Sequence, residues 1–312
     1  DVYKRQTGKT GAFTWPTTAD AMPDAQLIQL LLAGLGTGGI YALVAVGFNI
    51  IFKSTGALNF AQGEWVMMGG LFAAVAAADL PVWQACLMAT AAVSLVGWLS
   101  DRIVIRPLRN PTPLTLTLVS VGLAIASKSL VMLTLGKNPQ GYPGLSGDRK
   151  LDVLGAHVDA QTVWILAITL VLMLLTHLFF AHTRYGTALR AACANPDAAA
   201  LVGISHRGAI AASFALAALY GGLAGAIITP MTLMSYDSGA MLGFKAFSAA
   251  MLGGLGNLYG ALLGGLLLGV LETTIGGYLT TQFKDGVAFL ALLLILTVRP
   301  QGLLGRPDVV KV

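Results

Sequence analysis

The chain has 312 residues, of which only 11% are charged and 56% are hydrophobic, and its formal net charge is +5. A soluble chain carries about 25% charged residues, so this composition, with a mean hydropathy of +0.76, excludes an ordinary soluble domain. The two cysteines, Cys86 and Cys193, are too few for a small disulfide-stapled secreted fold.

Long apolar blocks follow one another along most of the chain, and several reach the roughly 20 residues that a helix needs to cross a bilayer. They lie near residues 27 to 52, 62 to 78, 82 to 101, 114 to 135, 162 to 181, 208 to 228 and 258 to 280. The blocks are apolar on all sides, whereas the strands of a membrane β-barrel alternate apolar and polar residues. The sequence therefore predicts an all-α polytopic membrane protein.

The first 21 residues contain no apolar run of signal-peptide length, and the chain does not begin with methionine. We expect residues 1–21 to be a non-native or disordered leader, with the native start at Met22. Residues 22–312 are expected to form a single transmembrane domain. The "TGKT" at 7–10 suggests a nucleotide-binding loop, but that loop needs a glycine where Tyr3 stands, so the match fails.

Polar side chains cluster where the second apolar block begins, at Asn59, Gln62 and Glu64. A charge at mid-membrane costs about 2.5–3.5 kcal/mol on insertion scales, so each one needs a reason. One interpretation places these three residues, together with Lys245, along a polar path for a substrate. The alternative for Glu64 is structural, because a carboxylate stabilises the positive end of a helix that begins beside it.

Two further charges, Lys128 and Glu272, lie within a turn or two of the ends of their apolar blocks. Long charged side chains in such positions reach the membrane surface or form ion pairs. We therefore expect Lys128 and Glu272 to be paired or to extend to the surface rather than to act on a substrate.

The basic residues of the connections predict the orientation of the chain, because cytoplasmic loops carry an excess of Lys and Arg. One face collects ten of them, at Lys53, Arg102, Arg106, Arg109, Arg184, Arg190, Arg207, Arg299, Arg306 and Lys311. The opposite face has four, at Lys137, Arg149, Lys150 and Lys284. We expect the first face to be cytoplasmic, with the N-terminus outside and the C-terminus inside.

This orientation requires the short apolar segments 244–256 and 286–298 to cross as well. A helix of 13 residues spans only about 20 Å, less than the roughly 30 Å of hydrocarbon. We expect short, broken or re-entrant helices there, buried against protein, because lipid-exposed irregular backbone is not tolerated in the bilayer.

Two connections differ from the rest. The longest one on the external face, 136–160, is dense in turn formers, and we expect it to form a small cap or docking surface. On the cytoplasmic face, an alanine-rich helix is predicted to begin after Asn195 and Pro196, with Asp197 in its first turn, and to stop at Gly203. Asn as a cap, Pro at the first position and Gly after the last are typical of helix ends. An exposed helix of this kind predicts a docking site for another protein.

The stretch "MLGGLGNLYGALLGGLLLGVLE" contains seven glycines. Gly256, Gly260 and Gly264 lie four residues apart, as do Gly265 and Gly269, so on a helix they form two adjacent rows without side chains. Such rows let helices pack backbone to backbone in lipid. A dinucleotide site would need G-x-G-x-x-G, and here the third glycine comes one residue late.

No catalytic or metal-binding pattern is evident in the sequence. The histidines have no ligand spacing, and no serine or cysteine has a credible base nearby. They lie at His157, His177, His182 and His206. We therefore predict that the chain is not an enzyme.

Several stretches resemble the LivH-type permease subunits of bacterial branched-chain amino acid ABC importers. They occur in family order as "GLGTGGIYALVAVGFNIIF", "LNFAQGEWVMMGG", "ANPDAAALVGI", "FKAFSAAMLGGLGNLYGALLGGLLLGVLE" and "VRPQGLLG". The resemblance covers nearly the whole chain except the leader. One departure is Gln62, where family members often have histidine.

This resemblance implies a multi-pass subunit of the bacterial inner membrane, with about eight or nine transmembrane segments, that contributes to the translocation path. It further implies a second related permease subunit, two cytoplasmic ATP-binding subunits and a periplasmic solute-binding protein, with ATP bound by the partners and no cofactor in this chain. Nucleic acid is not an expected partner. The loop around Asp197, Ala199 and Gly203 corresponds to the coupling helix that would fit a groove of the ATP-binding subunit.

Three other functions stay open at this point. Similar permeases serve urea or short amides, and the sequence does not separate these substrates from branched-chain amino acids. A stand-alone secondary transporter or channel is favoured by the charges at Glu64, Lys245 and Glu272. A structural membrane protein is favoured by the many glycine rows.

Overall fold

The computed structural model describes residues 23–109, 111–147, 149–153, 155–278 and 284–305. The predicted leader and the predicted start at Met22 lie outside these residues. Within them, most of the chain is helical. The elements are α1 (Pro23–Thr55), α2 (Gln62–Ala76), α3 (Val82–Ser100), a π-helical turn (Asp101–Ile105), α4 (Pro113–Leu135), β1 (Lys150–Val153), β2 (Ala156–Asp159), α5 (Ala160–His182), α6 (Arg184–Ala194), α7 (Pro196–Leu201), α8 (His206–Ile228), α9 (Ser238–Gly253), α10 (Leu258–Tyr278) and α11 (Lys284–Val298).

Six of the described helices are long and apolar enough to cross a membrane: α1, α3 with its π-helical extension, α4, α5, α8 and α10. Three other apolar helices, α2, α9 and α11, have only 15 or 16 residues, fewer than the roughly 20 that a helix needs to cross a bilayer. The prediction of an all-α polytopic membrane protein is confirmed. The prediction of eight or nine crossings stays a prediction, since it depends on how the short helices lie in the bilayer.

Helix ends that carry basic residues gather at one end of the bundle. Lys53 lies near the end of α1, Arg106 follows α3, and Arg207 opens α8. Ser54 and Thr55 line one cavity of about 300 Å³ together with Arg106 and Arg207, which joins these three helix ends. These three helix ends therefore lie together on one face of the bundle, and we call that face the basic end.

The connection between α4 and α5 covers the opposite end and contains a hairpin that the sequence analysis did not predict. β1 and β2 pair antiparallel. Gln140 forms a β-bridge with Met234, which joins this connection to the one after α8. Gln161 accepts a hydrogen bond from the Leu145 N–H at 3.1 Å and donates one to the Ile227 carbonyl at 2.7 Å. The connection is thus tied down as a cap on this end of the bundle.

Two rows of glycine on α10 bring two different neighbours into close contact. A Cβ on Gly264 would collide with the carbonyl oxygen of Ala249 in α9. A Cβ on Gly265 would lie 2.5 Å from the Cα of Ala42 in α1. The absence of side chains permits this approach, so α10 lies between α1 and α9 in backbone contact with both.

The glycine row that faces α9 begins at Gly260, one glycine later than the sequence analysis expected. Gly260 lies against Gly253 of α9, where an added Cβ would collide with the backbone. Gly256 precedes α10, which begins at Leu258, and its φ is +78°. That value lies in the left-handed region, which favours glycine. Gly256 therefore belongs to the tight turn between α9 and α10 rather than to the face of a helix.

α2 is short, but it is enclosed by the bundle. Twelve of its 15 residues are buried. Gly63 lies against Gly239 and Gly243 of α9, and Gly69 lies against Gly222 of α8. A helix of this length reaches only about 22 Å. Its enclosure by protein keeps the irregular backbone at its ends away from lipid, as a broken membrane helix requires.

Candidate functional site

An irregular segment, residues 56–61, leads from α1 into α2 and passes beside α4. The Phe60 N–H donates a hydrogen bond to the hydroxyl of Ser120 at 3.0 Å. The same hydroxyl has one proton to donate, and it lies 2.7 Å from the Thr117 carbonyl of its own helix and 3.3 Å from the Leu58 carbonyl. Ser120 is seven residues into α4, about 10 Å from the start of that helix. This side chain of α4 therefore satisfies the Phe60 N–H, a backbone group that has no helical partner at membrane depth.

A cavity of about 450 Å³ lies between this segment, α1, α2, α4 and α9. Its volume falls in the range of about 300–1,000 Å³ that is typical of small-molecule sites. We call it the central cavity. It is lined by Phe48, Phe60, Glu64, Val121, Ala124, Ile125, Lys128, Ala240, Gly243 and Phe244.

Aromatic rings form one wall of the central cavity. Phe60 packs against Phe244 with ring centroids 6.3 Å apart, and against Phe247 at 6.1 Å. Phe247 also packs against Phe48 of α1 at 5.9 Å. Aromatic pairs at such distances add to the stabilisation from buried area, so this wall is well packed. It offers an apolar surface to an aliphatic group.

Glu64 provides a carboxylate to the central cavity from the first turn of α2. Its side chain is buried, with 4% exposure, and among the described residues its Oε2 has no hydrogen-bond partner. A Cβ on Gly239 would lie 2.6 Å from that oxygen, so the glycine leaves room for it. The position also fits the alternative role that the sequence suggested, because a first-turn carboxylate lies at the positive end of the helix.

Lys128 provides an ammonium group to the same cavity from α4. The side chain is half-buried, and its Nζ lies 5.4 Å from the centre of the Tyr236 ring. It is close enough to Glu64 for their charges to interact. Among the described ion pairs, none joins the two residues. Sequence reasoning assigned Lys128 to pairing or the membrane surface, because the proximity of α4 to α2 is visible only in the fold.

Asn59 and Gln62, predicted on the same path as Glu64, are buried beside the central cavity rather than in its lining. The Gln62 side-chain amide donates a hydrogen bond to the Ala217 carbonyl of α8 at 2.9 Å. The Asn59 side-chain oxygen accepts one from the Ala61 N–H at 3.3 Å. Each contact fixes the entry into α2. Their roles on a substrate path stay predictions.

Lys245 lies in a different environment from Glu64. Its Nζ is 2.8 Å from the Glu272 carboxylate, which also accepts a hydrogen bond from the Tyr41 hydroxyl at 2.7 Å. Lys245 and Glu272 are 7% and 1% exposed. This ion pair joins α9 to α10, and it borders a second cavity of about 290 Å³. Glu272 is thus paired, as the sequence suggested, and its partner is the lysine predicted on the substrate path.

The short helix α7 has both of the ends that the sequence predicts. The Asn195 side chain accepts a hydrogen bond from the Ala198 N–H at 3.0 Å, and Pro196 occupies the first helical position. At the other end Gly203 has φ +81°, and the Ile204 N–H donates to the Ala199 carbonyl at 2.9 Å. This is the Schellman arrangement of a helix end. Strong local signals at both ends explain why a six-residue helix forms.

The side chains of α7 divide into an inner and an outer set. Ala199 is buried, in one apolar cluster with Leu189 of α6 and Ala209 of α8. Asp197 is exposed, and Leu201 and Val202 are 90% and 74% exposed. Of the residues predicted at this surface, Asp197 can touch a partner directly, whereas Ala199 holds α7 to the bundle. The sequence analysis missed Leu201 and Val202, although "ALVG" ends the helix with two apolar side chains.

A family model described as "Branched-chain amino acid transport system / permease component" matches residues 30–297 of the chain. The permease protein LivH of the high-affinity branched-chain amino acid transport system of Salmonella typhimurium is 33% identical to this chain over 300 residues. That match covers 91% of this chain and 97% of the relative.

The permease protein BraD of the corresponding system of Pseudomonas aeruginosa is also 33% identical, over 302 residues. This match covers 91% of the chain and 98% of the relative. A solved structure of PsaBC from Streptococcus pneumoniae in complex with Fab is similar with a TM-score of 0.48 and 13% identity, over 87% of this chain and 92% of the other. The residues that the family model matches include all of those that line the central cavity.

Proposed function

The chain belongs to the family of branched-chain amino acid transport system permease components, and we propose that it provides a translocation path for branched-chain or related hydrophobic amino acids. The central cavity carries this proposal, because it combines an apolar aromatic wall with a buried carboxylate and an ammonium group. The two sequence relatives are transport permease proteins rather than enzymes. The role of this chain is to hold and pass a substrate, not to alter it.

The partners that we propose are a second related permease, two cytoplasmic ATP-binding subunits and a periplasmic solute-binding protein, assembled in the bacterial inner membrane. ATP is bound by the partners, and this chain needs no cofactor of its own. The excess of positive charge at the basic end supports a cytoplasmic position for that end and for the C-terminus. The solute-binding protein would then meet the capped end that contains β1 and β2.

The coupling surface that we propose consists of Asp197, Leu201 and Val202. Two exposed apolar side chains next to a carboxylate suit a groove on a soluble partner better than they suit water. Gly203 allows the chain to turn directly after this surface. The ATP-binding subunit would push or pull on α7 as it binds and hydrolyses ATP.

A continuous series of close contacts links α7 to the central cavity. Ala199 of α7 shares an apolar cluster with Ala209 of α8. Further along α8, Gly225 lies so close to Val66 of α2 that an added Cβ would collide with the Val66 carbonyl. α2 in turn carries Glu64. We propose that α8 transmits movement of α7 to α2 and thereby changes access to the central cavity.

Reconstitution in proteoliposomes tests this function. With partner permease, ATP-binding subunits and solute-binding protein present, we expect leucine and the binding protein to stimulate both ATP hydrolysis and leucine uptake. ATP hydrolysis that is indifferent to both would contradict an importer for amino acids. Uptake by this chain alone, driven by a proton or sodium gradient, would favour a secondary transporter instead.

A double variant, Leu201→Ser with Val202→Ser, tests the coupling surface in the same preparation. We expect it to lose most leucine-stimulated ATP hydrolysis while it still inserts and binds leucine, because the apolar contact with the partner is gone. The matched control is a second double variant, Leu303→Ser with Leu304→Ser, which alters two exposed leucines after α11, outside the coupling surface. Equal activity of the double variant and the control would argue against the surface.

A further inference from the structure

Two opposite charges face the central cavity without neutralising each other. Glu64 enters from α2 and Lys128 from α4, and both line the same space. Elsewhere in the bundle, Lys245 and Glu272 make direct contact. Since charges inside a membrane are costly unless they are paired or solvated, an open arrangement needs a further explanation.

The Glu64 carboxylate is short of a partner. Its Oε2 is buried and has no hydrogen bond among the described residues, and Gly239 gives the oxygen space that a larger side chain would fill. A buried acceptor without a donor is destabilising. A donor from a bound molecule, such as an ammonium group, would remove that cost.

The Lys128 ammonium is on a flexible stem, and its charge also interacts with that of the exposed Asp237, although the two residues form no described ion pair. The ammonium lies over the ring of Tyr236, and it is seven residues, or about 10 Å, from the end of α4. An ammonium group has three donors, and a ring face occupies at most one side of it. The group is therefore available to a carboxylate that enters the cavity.

We propose that Glu64 and Lys128 bind the two charged groups of one α-amino acid zwitterion, the ammonium at Glu64 and the carboxylate at Lys128, with its aliphatic side chain against the aromatic wall. This inference rests on the proposed function and deepens it. Glu64 and Lys128 carry opposite charges, as do the two ends of the zwitterion, so each charge has a partner of the opposite sign in the loaded cavity. Phe48, Phe60 and Phe244 provide the apolar surface for the side chain.

The arrangement also favours amino acids over the alternative substrates. Urea and short amides have N–H donors and a carbonyl acceptor that could hydrogen-bond to Glu64 and Lys128, but they carry no formal charge. Hydrogen bonds between two charged groups are stronger than those with a neutral amide, so a zwitterion gains more from the two residues. The central cavity thus selects amino acids over amides by charge, whereas its aromatic wall favours aliphatic side chains.

Binding of three matched ligands tests this assignment in the purified permease assembly without the solute-binding protein. The ligands are leucine, leucinamide, which lacks the carboxylate, and 4-methylpentanoate, which lacks the ammonium group. The variants are Lys128→Met and Glu64→Gln. Their controls, Lys137→Met and Asp79→Asn, remove the same charges at exposed positions outside the cavity.

We expect the wild-type assembly to bind leucine about 30-fold more tightly than either analogue, since each lacks one charge-assisted contact. In Lys128→Met, leucine binding should weaken to the level of leucinamide, while leucinamide binding is unchanged. In Glu64→Gln, leucine binding should weaken to the level of 4-methylpentanoate. The controls should behave as the wild type.

Two outcomes would overturn the inference. Variants that weaken all three ligands equally would indicate a structural role for the two residues, and variants that keep the wild-type preference would exclude contact. If Glu64→Gln fails to assemble, Glu64→Asp retains the charge and should weaken leucine without abolishing the preference over 4-methylpentanoate. ATP-driven leucine uptake with unchanged preference in both variants would leave the proposed function intact, whereas uptake of urea but no amino acid would overturn both.

Discussion

The bundle contains two sets of opposite charges that differ in whether they touch. Lys245 and Glu272 form a closed pair, with the Tyr41 hydroxyl as a further donor to the carboxylate. Glu64 and Lys128 form an open pair, which faces the central cavity. The residue types are the same, and so is the chemistry of each group. The structural pair differs from the functional pair in one respect, which is whether its two opposite charges are in direct contact.

The closed pair joins one helix to another. The open pair leaves both of its charged groups able to bind a ligand. α9 and α10 are joined both by glycine contacts and by the Lys245–Glu272 pair. α2 and α4 approach each other at the central cavity, where the space between their charges can admit a ligand. The comparison predicts that the same substitution, Glu to Gln, will change stability far more at the closed pair than at the open pair.

The largest effect on stability is expected from Glu272→Gln. It removes the negative charge in direct contact with the buried Lys245 ammonium, and breaking a buried pair in this way costs about 3–5 kcal/mol. The unfolding midpoint of the purified assembly in detergent measures the effect. The double variant Lys245→Met with Glu272→Leu should recover most of the loss. An unchanged midpoint in the single variant would show that the closed pair is not structural.

A smaller loss is expected when α2 is displaced from α8. In Gly225→Val the new side chain would collide with the Val66 carbonyl, and overpacking of this kind costs about 1–3 kcal/mol. Because α2 carries Glu64, leucine binding should weaken as well. The matched control is Gly122→Val on α4, where no atom lies within 4 Å of the added Cβ. Equal leucine binding by the two variants would show that the packing of α2 against α8 does not affect the open pair.

A third prediction concerns the link between the open pair and the ATP-binding subunits. Asn195→Ala removes the cap of α7, and the loss of such a cap costs about 1 kcal/mol. Leucine-stimulated ATP hydrolysis should fall by up to about fivefold, the factor that this energy represents. Thr112→Ala removes a comparable cap from α4 and is the control. A similar fall in both would assign the effect to general stability.

The smallest change in stability is expected from Glu64→Gln. This carboxylate oxygen has no described hydrogen bond to lose, so the unfolding free energy should change by less than about 1 kcal/mol. The same chemical change at Glu272 has the largest effect, which makes the two variants a direct pair for comparison. If Glu64→Gln destabilises the assembly as much as Glu272→Gln does, the open pair is structural after all.

Local features of this molecule could be predicted from the sequence. Asn195, Pro196 and Gly203 define the ends of α7 through interactions between neighbours in the chain, and the structure contains each of them. The apolar blocks likewise predict the membrane class, because a bilayer imposes a length and a composition on any segment that crosses it.

Features that depend on distant contacts could not be predicted. Glu272 is 27 residues from Lys245, and nothing in either neighbourhood indicates that they meet. Lys128 reaches the central cavity only because α4 packs beside α2. Gly256 was assigned to a helix face because its spacing matches Gly260, yet the turn before α10 takes it out of the helix. The spacing of residues along a helix predicts which of them share a face, but it does not predict which other helix packs against that face.

The location of bound leucine tests the central claim most directly. A structure of the assembled transporter, determined with leucine and with ATP hydrolysis blocked, would provide it. We predict leucine in the central cavity, with its ammonium group in contact with Glu64 and its carboxylate in contact with Lys128. Leucine bound elsewhere, or Glu64 and Lys128 closed into direct contact beside an empty cavity, would contradict the account.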